Sequence, residues 1–282
     1  MIHPPDVRRV VLVVLDGLRA DAVSVLGLRH WQRLARDGAS SLLGTTVAPS
    51  VTAAAMASLL TGAPPEVHGL RQSRFHLPHR PGRLQPLPRL VAAGGMPTSG
   101  FVRELPLLVR GVARRIARYL GFDAARFAGH NAREILFGAW DCLASQESGL
   151  ILLHWPDGDV AGHRHGWMSP QYADAVQRMD QSLGLLASMA DLDGDPGTLL
   201  IALADHGGGG VDARDHESDH PLDRTIPVLL AGGAVTGAAL EGPTLLDIPA
   251  TVLWALGIPQ PESYAGRPLC EAFLRQASAV AG

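Results

Sequence analysis

Asp205 and His206 close the run TLLIALADH at Thr198–His206, and four glycines follow them. A carboxylate and an imidazole side by side at the end of an apolar run are metal-ligand types. Asp159 and His163 stand four residues apart in PDGDVAGHRHG, flanked by Asp157 and His165. So many ionisable groups in so short a stretch are hard to account for as packing. Asp16 follows the apolar run VVLVVL, and Asp215, His216, Asp219 and His220 crowd RDHESDHPLDR. Mixed carboxylate and imidazole donors suit zinc, manganese or iron better than magnesium or calcium. There are enough donors for two ions, and paired ions are a device for displacement at phosphorus. Thr52 is the candidate nucleophile. It precedes AAAMASLL, a strong helix former, so the sequence places it at a helix N-cap. A hydroxyl there either caps the helix or acts chemically, because the N-terminal dipole favours an alkoxide and a bound phosphate. As a nucleophile it needs a metal or a base.

The elements that must position these groups are buried strands. Val10–Leu15, Gly149–Trp155 and Thr198–Leu203 are continuous apolar runs, as strands covered on both faces require. Each is followed by candidate ligands. In an open α/β sheet, ligands bind beyond the carboxyl ends of the strands, so Asp16, Asp159 with His163, and Asp205 with His206 can converge on one edge. Helices are expected at 29–38, 53–60, 88–94, 105–120, 131–143, 169–190 and 247–256, and further strands at 98–102 and 226–230. Strand and helix alternate throughout, which predicts an α/β fold with a mostly parallel central sheet and helices on both faces. The 105–120 helix carries Arg110, Arg114, Arg115 and Arg118 and reads as amphipathic with a solvated basic face. The proline- and arginine-rich stretch from Arg71 to Arg89 reads as a lid or a surface loop.

Composition limits the alternatives. The 282 residues carry a net charge of −3, which argues against a nucleic-acid duplex as partner. Every basic residue is arginine, so neither a lysine Schiff base nor a P-loop lysine is available. With only Cys142 and Cys270, no disulfide framework is implied, and a cytoplasmic location is expected. The N-terminus lacks signal-peptide patterning, and no run approaches the ~20 apolar residues of a membrane span.

The motifs VVLVVLDG, APSVTAAAMASLLTGAPPEVHG, DVAGHRHG, ADHGGGG and HESDHPLDRTIPVLLAGG, with DIPATVLWALGIPQPESYAGRPL near the C-terminus, occur in a family's order. Together they resemble the alkaline phosphatase superfamily, in its type I phosphodiesterase/nucleotide pyrophosphatase branch. The resemblance implies one alkaline-phosphatase-like metallohydrolase domain over 1–282, with 71–148 partly a small lid or helical segment. It implies two divalent ions, zinc first, with manganese or iron as alternatives. One ion would be held by Asp16, Thr52, Asp205 and His206, the other by Asp159, His163 and His216. The family's spacing favours Asp159 over Asp157 and His216 over His220.

The activity implied is hydrolysis of a small-molecule phosphate ester, diester or monoester. Thr52 would attack phosphorus to form a phosphothreonine, and water at the Asp159 site would then release phosphate. Phosphonate hydrolysis and phosphomutase chemistry are alternatives within the superfamily, and a ligand-binding pseudoenzyme is the alternative outside catalysis. Two departures bear on substrate. Nucleotide pyrophosphatases carry an asparagine three residues after the nucleophile, where this chain has Ala55. The catalytic cysteine motif of sulfatases is absent. The sequence leaves the oligomeric state open.

Overall fold

A computed structural model describes residues 6–72, 84–233 and 235–273. Its centre is a seven-stranded sheet. The strands are β1 (Arg9–Leu15), β2 (Ala39–Thr45), β3 (Thr98–Val102), β4 (Ala124–Phe127), β5 (Gly149–Trp155), β6 (Thr198–Leu203) and β7 (Thr225–Gly232). Their spatial order is β2-β7-β6-β1-β5-β3-β4. β1 lies in the middle and pairs in parallel with both β5 and β6, with Leu15 opposite Trp155 and Val14 opposite Leu203. All of β1 and β6 is buried, as their unbroken apolar runs require. The three strands whose ends carry candidate ligands are therefore immediate neighbours, ending together.

Two groups of helices flank the sheet. Helices Arg29–Asp37, Ala132–Gly138 and Trp140–Ser145 pack with the long Pro170–Met189 helix, while Thr52–Thr61, Leu87–Ala93 and Asp247–Ala255 pack with one another. Tyr172, Val176, Met179, Leu183 and Leu186 form the buried stripe of the long helix, at helical spacing. At the edge of the sheet away from the ligands, the buried Arg9 donates to Thr198 Oγ1 and to the carbonyls of Leu143 and Ala190.

The sheet departs from the expected alternation at β7, which runs antiparallel to both β6 and β2. The segment between β6 and β7 holds only the one-turn helix Pro221–Arg224, too little for the crossover that a parallel strand needs. The chain therefore leaves and re-enters the sheet at the same edge, which keeps the glycine run and His216 beside Asp205. Strands β2 and β4 carry little apolar signal, and the sequence assigns no strand there. β2 ends at Thr45, opposite Thr225, so the loop leading to Thr52 starts at the same edge.

Local expectations shift in four places. Thr52 is the first residue of its helix, not the cap: Val51 is the extended N-cap residue, and the side chains supply no cap. Asp157–His165, to which the sequence assigns no element, is a helix. The 131–143 helix is two, Ala132–Gly138 and Trp140–Ser145. The Leu107–Leu120 helix exposes Arg114, Arg115 and Arg118, while Arg110 is half-buried; the helix buries no residue, and Leu108 is 96% exposed. Residues 73–83, most of the expected lid, lie outside the described residues. The rest of the 71–148 stretch contributes β3 and β4 to the central sheet.

Candidate metal centre

Asp16 follows β1, Asp205 and His206 follow β6, and the helix after β5 presents Asp159 and His163 one turn apart. His216 arrives from the β6–β7 connection. The side chains meet. His206 Nε2 is 3.2 Å from Asp16 Oδ1, 3.6 Å from Asp205 Oδ2 and 4.0 Å from Asp159 Oδ1. Asp159 Oδ1 also lies 3.2 Å from His163 Nε2 and 3.5 Å from His216 Nε2. Thr52 Oγ1 stands 3.1 Å from His206 Nε2. All seven candidate residues thus gather at one sheet edge, and the rings of His206 and His216 stack with centroids 3.8 Å apart.

The three histidines share one arrangement. Nδ1 of His163 faces the carbonyl of Arg214 at 2.8 Å, that of His206 faces Gly207 at 2.9 Å, and that of His216 faces Ser50 at 2.6 Å. A carbonyl only accepts, so each Nδ1 carries the proton and donates it. Each Nε2 is left with a lone pair aimed at the carboxylates, the usual preparation of a metal-binding imidazole. The near-duplicate residues have other work. Asp157 Oδ2 accepts from the Ala132 N–H at 2.7 Å, and His220 Nδ1 accepts from the Leu222 N–H at 3.1 Å. Neither faces the cluster; both hold helix N-termini.

The surroundings are built around close approach. Trp167 Nε1 and the Tyr172 hydroxyl both donate to the Gly17 carbonyl, fixing the turn after Asp16. At Gly17 φ is +70°, and a Cβ would lie 2.7 Å from the Asp159 backbone nitrogen. The glycine run wraps Trp167: a Cβ on Gly208 would lie 2.1 Å from its ring.

The cluster as bare protein is electrostatically unbalanced. Burial, with Asp205 close by, holds the Asp16 carboxyl well above the usual carboxylate range. Burial opposes charge on His206, but Asp205, Asp16 and Asp159 outweigh it and push the ring up to about 10. Burial, with His206 stacked against it, pulls His216 down. A proton on His206 would thus sit on Nε2, where it would block that nitrogen as a metal ligand. A cation among the carboxylates supplies the same positive charge and frees that nitrogen.

The satisfaction of polar groups points the same way. Asp16 Oδ1, His154 Nε2, Asp159 Oδ1 and Asp205 Oδ2 are four of the six buried side-chain polar atoms without a hydrogen-bond partner among the described residues. Orphans are rare in native interiors, and here they collect at one point. The donors therefore fit divalent ions. Two compact groups have ligand atoms within 4.8 Å of one another: Asp159, His206 and His216, and Asp16, His154 and Asp205. That grouping crosses the one implied by resemblance, because His206 lies between the carboxylates of both sides. Among the carboxylates, His163, 45% exposed in its side chain, pairs with Asp159.

His154 was not foreseen. It is the one polar side chain in GLILLHW, one residue before the end of a strand that leads into the candidate ligands, and that interruption was the available signal. Ser50 and Thr46 were also missed. Their hydroxyls donate to the backbone carbonyls of His216 and Asp205, and so tie the ligand loops to the segment leading to Thr52.

Residues 10–85 and 96–244 match the type I phosphodiesterase/nucleotide pyrophosphatase family, and the chain belongs to it. Within the alkaline phosphatase superfamily, the chain is 33% identical over 127 residues to a 2,3-bisphosphoglycerate-independent phosphoglycerate mutase of Cereibacter sphaeroides, covering 44% of this chain and 24% of the mutase. The chain spans about a quarter of the length of the curated relatives it matches. The lipoteichoic acid synthase of Listeria monocytogenes superimposes with a TM-score of 0.73 at 16% identity, covering 94% of this chain and 76% of that one. Murine ectonucleotide pyrophosphatase/phosphodiesterase 5, in an inactive threonine-to-alanine form bound to AMP, superimposes with a TM-score of 0.69 at 13% identity, covering 90% and 96%. The architecture is alkaline-phosphatase-like.

Proposed function

We propose that this chain is a two-metal hydrolase of small phosphoesters, with Thr52 as nucleophile. One observation carries the reading: three histidines fixed through Nδ1 aim Nε2 at shared, buried carboxylates beside the Thr52 hydroxyl. Asp16, Thr52, Asp205 and His206 would hold one ion; Asp159, His163 and His216 would hold the other. When bound, the ions lower the pKa of a hydroxyl or water and spread the charge that develops on the phosphoryl group.

The chain's own groups divide the rest. Thr52 Oγ1 attacks phosphorus in line, the ester oxygen leaves, and a phosphothreonine results. Thr52 opens the Thr52–Thr61 helix without a side-chain cap, so N–H groups of the first turn can receive a phosphoryl oxygen. Water then attacks phosphorus from the side opposite Thr52 Oγ1, which leaves as the restored hydroxyl. Ala55 is buried one turn into the same helix and offers no hydrogen bond to the phosphoryl group. Monoesters and diesters both remain within the reading. The inactive threonine-to-alanine form of the murine neighbour is in keeping with a threonine hydroxyl here.

Phosphoryl transfer to a second hydroxyl is the other reading, favoured by the similarity to the phosphoglycerate mutase. Turnover of p-nitrophenyl phosphate and bis-p-nitrophenyl phosphate in 18O-labelled water separates the two. A hydrolase releases phosphate that carries the label. A transferase passes the group to an added alcohol and leaves the label in water.

A further inference from the structure

We propose that His154 Nε2 is a ligand of the cation shared by Asp16 and Asp205, a donor that the family resemblance does not supply. The inference rests on the metal reading above. β5 pairs with β1 so that His154 lies opposite Val14, two residues before Asp16. Strand alternation sends the neighbouring Trp155 into the core, while His154 leans toward the ligand edge with 13% of its side chain exposed. Its Nε2 stands 3.4 Å from Asp16 Oδ2.

That contact is not a hydrogen bond. His154 Nε2 and Asp205 Oδ2 are both buried, and both lack a hydrogen-bond partner among the described residues. Two orphaned atoms, one on β5 and one just beyond the end of β6, form a group within 4.8 Å with Asp16 between them. An orphaned buried polar atom is costly, and a single ion among the three satisfies all of them. The 3.4 Å between His154 and Asp16 fits, since donors about 2.0–2.1 Å from a tetrahedral ion lie about 3.3 Å apart, and Asp205 lies within 4.8 Å of both. Asp16 would use Oδ2 toward His154 and Oδ1 toward His206, so the cation has imidazole on two sides. A histidine that only packed or oriented Asp16 would be expected to complete a hydrogen bond through Nε2, and among the described residues this one does not.

Imidazole favours zinc and iron, whereas carboxylate favours manganese and magnesium. His154 therefore biases the Asp16–Asp205 position toward the former pair. The test uses the full chain, stripped and reloaded with Zn2+ against a chromophoric chelator, and separately loaded with Co2+ for its visible absorption. His154→Ala is expected to weaken one zinc equivalent at least ~10-fold, as losses around metal sites do, leave the other unchanged, and alter the Co2+ bands. His154→Glu is expected to restore tight binding while shifting preference toward Mn2+, a rescue that a packing role would not give. If the alanine protein proves unfolded, the glutamate variant and the Co2+ spectrum decide. Two unchanged zinc equivalents and an unchanged Co2+ spectrum in a folded His154 variant would overturn the inference while leaving the two-metal reading intact. A wild-type protein that binds no metal would overturn both.

Discussion

The hydroxyl oxygen of Thr52 lies 3.1 Å from Nε2 of His206, the nitrogen that also faces Asp16. Thr52 is not its helix's cap, since Val51 holds that position. The side chain is therefore free for chemistry, and its loss should leave the fold nearly intact. Thr52→Ala is expected to lose less than about 1 kcal/mol of stability, below a typical cap, and to keep its metal. Turnover should fall at least ~10³-fold, as on removal of a covalent nucleophile. Thr52→Ser should retain measurable activity. Thermal melting, metal content and phosphoester turnover on the same preparations check this, and a metal-loaded alanine variant with wild-type turnover would end the assignment.

The neighbouring pairs Asp157/Asp159 and His216/His220 predict a split between stability and metal. Asp157→Ala and His220→Ala remove groups that accept backbone N–H bonds at helix starts, at a cost of about 1 kcal/mol each. Metal content should be unchanged. Asp159→Ala and His216→Ala should lower metal content instead. The opposite ranking by elemental analysis would show that the wrong members of the motifs had been chosen.

Gly208 tests the packing beneath the ligands. An alanine Cβ would meet the Trp167 ring, which lies edge-on to both His163 and His216 with centroids 5.2 and 5.7 Å away. Gly208→Ala should cost about 1–3 kcal/mol as overpacking. It should also weaken metal binding, although Gly208 contributes no donor side chain. Normal melting with normal metal affinity would contradict the account of the glycine run.

His68 should impose a pH dependence on stability. Its Nδ1 accepts from the Leu70 N–H, so Nε2 carries the proton and donates to Ser58 Oγ. Burial pulls the ring down to about 4 from 6.5. The unfolded chain takes up a proton below 6.5 that the folded chain refuses until about 4. The contribution is therefore fully present above about pH 6.5 and is lost as pH falls toward 4, on the order of 3 kcal/mol in all. His68→Gln should flatten that part of a denaturant-midpoint profile. An unchanged slope between pH 6.5 and 4 in the variant would contradict the assignment.

The three central strands and the long Pro170–Met189 helix were legible because burial on both faces, or on one stripe, leaves an unbroken periodic trace in the residues. The candidate ligands placed at the ends of those strands follow from the same logic. β2 and β4 left no such trace, since ASSLLGT and AARF are only partly buried. The antiparallel return of β7 depends on how little helix the preceding connection contains. His154 was hidden by its setting, a single polar residue in a strand otherwise read as core. The division of labour between Asp157 and Asp159 depends on which backbone N–H each meets, and spacing alone does not carry that.

Metal content measured beside activity tests the central claim most directly. The purified chain should carry about two equivalents of transition metal, as a two-ion site requires. Phosphoester turnover should disappear as a chelator removes them and return as zinc is restored. A metal-free chain that hydrolyses the same esters at the undiminished rate would contradict the account.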